Sequence, residues 1–302
     1  MKTAVFGELL FDIIEGTQHI GGAPFNFAAH MTKLGFDAHL ITCIGDDPLG
    51  REAFAKMRTL GMNEDFIGQT SALPTGTVSV TMNGSEAEYA ISEQAAWDAI
   101  SVEDSPALEY EMWDLFYFGS LAQRSDNNRR ILKGLLDETL TARHIFFDAN
   151  LRRGYYSKDV LEYSLEKATI LKINGDEAAV LQSLLETGKA GAAEETGKAL
   201  AAAYGLDTVI ITDGNNDVLV LDGGDTHRIP VKQTDVADTV GCGDAFSAGY
   251  CFGLLQGLPA AEAGKLGALL GSYVASKPGA VPDYSEDIIS AFLSLGEHDI
   301  VG

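Results

Sequence analysis

Three cysteines, Cys43, Cys242 and Cys251, are all that this chain of 302 residues contains. None stands at a metal-type spacing and the three cannot all pair with one another. That argues against a disulfide framework or a structural zinc and fits a reducing compartment. Basic residues are scarce too: 21 Lys and Arg face 44 Asp and Glu, for a net charge of −23. Repulsion on that scale disfavours nucleic acid and anionic membrane surfaces as partners. No apolar run reaches the about 18 residues that a membrane-spanning helix needs. The opening segment Met1–Gly7 meets Glu8 too early for a secretory apolar region, so a cytoplasmic protein is expected. A dinucleotide-binding Gly-x-Gly-x-x-Gly is also missing, because Gly7 is followed by Glu8 and Leu9. This disfavours a nicotinamide-dependent oxidoreductase. Linkers, low-complexity tracts and internal repeats do not appear.

What is present is a core-forming composition, 46% hydrophobic, on a length that suits one large α/β domain or two smaller ones. Short apolar runs alternate with helical stretches. Strands are expected at Thr3–Phe6, Ala38–Ile44, Leu115–Phe118, His144–Asp148, Ile170–Ile173 and Thr208–Thr212. Helices are expected at Pro24–Leu34, Pro48–Leu60, Asn127–Leu140, Asp159–Lys167, Gly191–Tyr204, Gly243–Leu255 and Ala260–Ser276. This rhythm predicts a mostly parallel sheet covered by helices on both faces. Glu64–Ile91 breaks it with alternating residues and an Asn83-Gly84 pair, a hairpin signal. A small antiparallel lid is the expectation there, with edge strands of the main sheet as the alternative.

The most informative run is Asp238-Thr239-Val240-Gly241-Cys242-Gly243-Asp244-Ala245-Phe246. Two glycines at the start of a helix bring backbone N–H groups and the positive end of the helix dipole to bear on an anion. A carboxylate at Asp244 repels that anion, so it needs its own task, and general-base chemistry on a hydroxyl supplies one. An ordinary capped turn is the plain alternative. Gly21-Gly22-Ala23-Pro24-Phe25-Asn26, together with Asp12, offers the carboxylate, amide and open backbone that a polyhydroxylated ligand needs, with a Gly-rich turn and an Asn cap as the alternative. Asn174-Gly175-Asp176-Glu177 ends a strand and enters a helix. Glu177 there either holds magnesium through water or simply closes a capping box with Asn174. Thr212-Asp213-Gly214 is a strand-to-turn junction suited to a nucleotide pocket. Asp148-Ala149-Asn150-Leu151-Arg152 places an arginine after a strand, where it can draw in a carboxylate or phosphate.

In their order along the chain, these motifs resemble the ribokinase-like (PfkB) carbohydrate kinases from Ala4 to about Pro282, and fructokinases most nearly. The resemblance implies a three-layer α/β/α fold, with residues 1–302 as one kinase domain and lid strands at about 10–20 and 64–92. It implies an ATP-dependent phosphotransferase with Asp244 as base and the Gly241, Cys242 and Gly243 amides as anion hole. Asn174, Thr212 and Gly214 would bind nucleotide, Asn174 and Glu177 would organise Mg2+, and Asp238 would lie near a site for K+. Asp12, Gly22, Asn26 and Arg152 would bind the acceptor, for which fructose is expected. 2-Keto-3-deoxygluconate, ribose or a nucleoside are alternative acceptors, and an inactive sugar-binding regulator is the alternative of another class. A homodimer through the lid fits the family pattern. Cys242 stands where relatives carry Ala. Its place at a helix N-terminus predicts a lowered thiol pKa and inactivation by alkylation.

Overall fold

A strand buried on both faces reads as a continuous apolar run, and the central strands of this chain do so. The computed structural model describes every residue except Glu15, 84–85, 104, 106, 153, 188–190, 215 and 295–302. Its strands are β1 (Lys2–Phe6), β2 (Leu10–Ile14), β3 (Thr17–Gly21), β4 (Asp37–Gly45), β5 (Ile67–Thr70), β6 (Gly76–Asn83), β7 (Glu86–Ile91), β8 (Met112–Gly119), β9 (Thr141–Asp148), β10 (Ile170–Asn174), β11 (Thr208–Thr212), β12 (Val218–Asp222) and β13 (Asp225–Ile229). The helices are α1 (Ala23–Lys33), α2 (Pro48–Thr59), α3 (Ala107–Tyr110), α4 (Asp126–Gly134), α5 (Lys158–Lys167), α6 (Gly175–Leu185), α7 (Ala193–Tyr204), α8 (Cys242–Leu255), α9 (Ala260–Ala275) and α10 (Glu286–Leu293). The expected helix over Asn127–Leu140 is α4 followed by a π-helical turn, Leu135–Thr139.

Nine strands form the main sheet in the order β13-β12-β11-β10-β9-β8-β1-β4-β5. Pairing is parallel from β11 to β5, and antiparallel where β12 joins β11 and where β13 joins β12. Alternation along each strand divides the core. Val5 packs with Phe27 of α1 and with Phe246 and Tyr250 of α8, whereas Ala4 and Phe6 point to the opposite layer, with Leu165 of α5 and Leu181 of α6. The result is the ribokinase-like three-layer α/β/α arrangement. Among the described residues no helix is long and apolar enough to cross a membrane.

A second sheet of four strands, β3-β2-β6-β7, stands apart from the first. It consists of two antiparallel hairpins joined by a parallel pairing of β2 with β6. The expected appendage is therefore smaller than Glu64–Ile91. Residues 67–70 leave it as β5 and pair in parallel with β4 at the edge of the main sheet. Asn83 pairs with Glu86 across the hairpin, while Gly84 of the expected Asn-Gly turn lies outside the described residues.

The sheet order reverses between β1 and β8, because the chain builds β4 and β5 on one side of β1 and then crosses to β8 on the other. Such a switch point opens a crevice at the carboxyl ends of the strands, where α/β proteins bind ligands. Gly7 follows β1, and Gly119, Asp148, Asn174 and Thr212 end their strands on the same side, with Gly119 paired to Asp148 and Asn174 to Thr212.

Helix α8 is set against α9 through small residues. A side-chain carbon on Gly249 would lie 2.6 Å from the Leu266 carbonyl oxygen, and one on Gly253 would lie 2.7 Å from Ala263 Cα. Alanine in a helix interior gains about 1 kcal/mol over glycine. Forcing an atom into a packed backbone contact costs about 1–3 kcal/mol. Gly249→Ala should therefore lower the urea midpoint despite its better helix propensity, and a raised midpoint would contradict the close α8–α9 contact.

Candidate active site

Asp244 lies in the first turn of α8, buried at 9% exposure. Asn26 Nδ2 of α1 donates to its Oδ2 at 2.8 Å. Burial first, and then the Asp148 charge, push its carboxyl up to about 6, opposed by the Asn26 hydrogen bond and by Lys172 and Arg152. It is thus ionised at neutral pH but holds a proton more readily than an exposed aspartate. Gly241 caps the helix with φ 77°, and a Cβ there would stand 2.5 Å from Ala280 Cβ. Glycine is required at that position on both counts.

Beneath this turn sits a buried ion pair. Lys172 Nζ is 3.0 and 2.9 Å from the two Asp148 oxygens. Tyr117 Oη donates to Asp148 Oδ2 at 3.0 Å, and its ring stacks on Phe27 at 4.0 Å. Ser247 Oγ, one turn after Gly243, is 3.1 Å from Asp148 Oδ2 and 3.0 Å from the Gly243 carbonyl oxygen, and its single proton can serve either. Burial alone would lower the lysine, but the adjacent carboxylate outweighs it and raises the ammonium above its usual range. The cation lies under the glycine turn, since a Cβ on Gly243 would be 3.3 Å from Lys172 Nζ. Lys172, Tyr117 and Ser247 are missing from the sequence-based set. The available signal was a lysine inside the otherwise apolar strand Ile170–Asn174.

Of the expected acceptor residues, Asn26 bonds to Asp244 and to Gly22, and the Arg152 charge reaches both Asp244 and Asp12. Asp12 pairs with His19 across β2 and β3, and a Cβ on Gly21 would lie 3.0 Å from Asp12 Oδ2. Burial raises the Asp12 carboxyl, and His19 and Arg152 oppose the shift. Arg152 is exposed, yet its charge acts on Asp12 and Asp244 alike. Gly22 precedes α1, and its carbonyl accepts from the Asn26 amide at 2.9 Å. A cavity of about 520 Å³, lined in part by His19, Phe25 and Lys56, opens beside this group.

Asn174 and Glu177 form a reciprocal capping box. Glu177 Oε2 accepts from the Asn174 amide at 2.9 Å and Oε1 from the Leu151 amide at 2.7 Å, while Asn174 Oδ1 accepts from the Glu177 amide at 2.8 Å. Glu177 therefore ties the Arg152 loop to the end of β10. Thr212 Oγ1 donates to the Ile173 carbonyl at 3.5 Å, and Gly214 turns with φ 53°. Thr212 pairs with Asn174 across β10 and β11. Asp238 accepts from Val240 and Gly279 amides at 3.0 and 3.2 Å, closing the segment before Gly241 onto the 278–281 turn.

The whole constellation, a buried carboxylate on a helix N-terminus above a buried ion pair, falls inside a stretch, residues 2–287, that matches the family model for pfkB family carbohydrate kinases. The chain belongs to that family. A putative sugar kinase of Pyrococcus horikoshii is 27% identical over 92% of this chain and 91% of its own. A fructokinase of Klebsiella pneumoniae is 26% identical over 85% of this chain and 86% of its own. The crystal structure of aminoimidazole riboside kinase from Salmonella enterica, complexed with aminoimidazole riboside and an ATP analogue, superposes with a TM-score of 0.81 at 25% identity. It covers 97% of this chain and all of that one. This kinase is accordingly an ATP-dependent phosphotransferase acting on a carbohydrate.

In this carbohydrate kinase the expectation for Cys242 is overturned. Burial, then the Asp238 and Asp244 carboxylates, push its thiol up to about 11, and Sγ faces the Asp238 carbonyl oxygen at 3.6 Å. The favourable helix end is outweighed by desolvation and two negative neighbours. At pH 7.5 iodoacetamide should modify Cys242 more slowly than a free thiol of pKa about 8.5 by over about tenfold. Peptide mapping showing rapid labelling there would contradict this. Lys172→Met should leave Asp148 buried and unpaired and destabilise the protein by about 3–5 kcal/mol. Adding Asp148→Asn should recover part of that loss, and denaturation midpoints that fall further in the double variant would refute the pairing.

Proposed function

We propose that this kinase transfers the γ-phosphate of ATP to a hydroxyl of fructose, with Asp244 as general base. The observation that carries the reading is the Asn26–Asp244 hydrogen bond, which couples the acceptor group to the base at the mouth of the α8 anion site. Asn26 occupies Oδ2 and leaves Oδ1 to face the acceptor. Asp244 takes the hydroxyl proton as the new oxygen–phosphorus bond forms and the bond from the γ-phosphorus to the ADP oxygen breaks. Phosphoryl transfer asks mainly for positioning and charge stabilisation. The Gly241, Cys242 and Gly243 amides, the α8 dipole and the Lys172 charge beneath Gly243 provide it. Cys242 contributes only its backbone.

Thr212, Gly214 and Asn174 fit the nucleotide side. Magnesium, when bound with ATP, neutralises phosphate charge. Both Glu177 oxygens are already bonded to backbone amides, so this chain suits an ion held through water, as Mg2+ often is. Asp238, pinned to Gly279, is the residue nearest to hand for a K+ ion in this reading. Fructose is favoured by Ala23 within the Gly-Gly-Ala-Pro-x-Asn run and by the fructokinase relative. A 2-keto-3-deoxy sugar acid is the second reading, favoured by the exposed Arg152 at the rim.

Asp244→Asn should reduce kcat by about 10²–10⁴-fold with the fold retained. In the wild type the base must be unprotonated. Its activity should therefore climb as pH rises through about 6, the value to which Asp244 is raised. Near-full activity of the variant would sink the assignment. A sugar panel with the phosphorylated position read by NMR should rank fructose first by kcat/KM. A preference for the sugar acid that Arg152→Ala abolishes would replace fructose.

A further inference from the structure

Glu8 follows β1 at the switch point of the main sheet and has no task in the reading above. It is 3% exposed, and its Oε2 has no hydrogen-bond partner among the described residues; the same holds for Asn26 Oδ1. Gly22 brings the two together. A side-chain carbon on Gly22 would lie 2.6 Å from the Glu8 carbonyl oxygen and 3.4 Å from Glu8 Cγ, so the turn before α1 rests directly on Glu8. Asn26 lies one helical turn further on, bonded to the Gly22 carbonyl on one side and to Asp244 on the other. Glu8, Gly22, Asn26 and Asp244 are thus joined by successive contacts.

A buried polar atom without a partner costs about 1–3 kcal/mol, and native structures keep few of them. A buried carboxylate without a partner costs more still. The charged groups facing Glu8 are Arg152 from the loop after β9, Asp244 from α8, and Arg124 from the turn after β8. Arg124 is already committed to Asp98 at 2.9 and 2.7 Å and lies over the Trp97 ring. Burial above all, with Asp244 adding to it and with a hydrogen bond from the Glu8 backbone amide and the two arginines opposing, pushes the Glu8 carboxyl up to about 7. Below that pH it is a neutral acid with a proton to give.

We propose that Glu8 is a specificity-determining residue of the acceptor pocket: as a neutral carboxylic acid it donates a hydrogen bond to an oxygen of the bound sugar, while Asn26 Oδ1 accepts one from a sugar hydroxyl. A donor on Glu8 and an acceptor on Asn26, both joined to Gly22, suit two oxygens of one sugar. Ionisation of Glu8 removes the donor and sets a second negative charge near Asp244, so acceptor binding weakens as pH rises above about 7. That limb is opposite in sign to the Asp244 limb, which governs turnover at lower pH.

The inference rests on Asp244 being the base of the same site, and the experiment separates the two. Asp244→Asn lowers kcat, whereas Glu8 variants act on the acceptor KM. With the best acceptor from the sugar panel, Glu8→Ala should raise the acceptor KM by about tenfold or more, the loss of one good hydrogen bond, and leave the ATP KM within about twofold. Glu8→Gln, whose amide also donates, should keep the acceptor KM near the wild-type value and abolish its rise above pH 7. Should Glu8→Ala fail to fold, the Glu8→Gln pH profile alone decides. An acceptor KM unchanged in Glu8→Ala, or a Glu8→Gln enzyme that retains the wild-type pH dependence, overturns the proposal.

Discussion

The buried pair of Lys172 and Asp148 is the interaction on which the rest of this site depends. It joins β10 to β9 in register, takes a hydrogen bond from Tyr117 of β8, and reaches Ser247 of α8. Two charges removed from water rarely stabilise a fold by themselves. Their value here is positional. Asp148 Oδ2 is met by two hydroxyls besides the ammonium, and the ammonium is held directly under the Gly243 backbone. Three strands and the helix that carries Asp244 are thereby locked to one another at the carboxyl ends of the strands.

Helix α1 provides the complementary constraint. Asn26 holds Asp244 from one face. One turn on, His30 meets the Tyr284 hydroxyl at 2.7 Å and the Ala280 carbonyl at 2.9 Å. The Ala280 carbonyl can only accept, so His30 Nε2 carries the proton and Nδ1 accepts from Tyr284. Burial holds the ring neutral by lowering its pKa to about 4. Ala280 in turn abuts Gly241. A single helix therefore braces both Asp244 and the glycine turn, in a chain whose net charge is −23. Positive potential near Asp244 is local, coming from the helix end, Lys172 and Arg152 rather than from the surface as a whole.

Much of this was legible in the chain. Asp244, Gly241 and Gly243 are adjacent in sequence, so the chemistry they can do is written in one short run. Thr208–Thr212 matches its strand to the residue because an apolar β-branched run between turns permits little else. Other features were not legible. The alternating residues before Ile91 show strand character but not which sheet receives them, and β5 joined the main one. For Cys242, the helix end is visible in the sequence but the two carboxylates and the burial that outweigh it are not. Glu8 reads as an ordinary residue after a strand until Gly22 and Asn26 are folded onto it.

By itself the sequence determined the order of elements, the mostly parallel sheet, and which short runs present amides, carboxylates and glycines, because backbone preference and side-chain chemistry are local properties. Tertiary structure alone decided the protonation behaviour of those groups and their partners. The elevated carboxyls of Asp244 and Glu8, the Lys172–Asp148 pair and the silent Cys242 thiol all arise from burial and from charges contributed by distant segments. Electrostatics in a desolvated site depends on distance through space, and only the folded chain sets that distance.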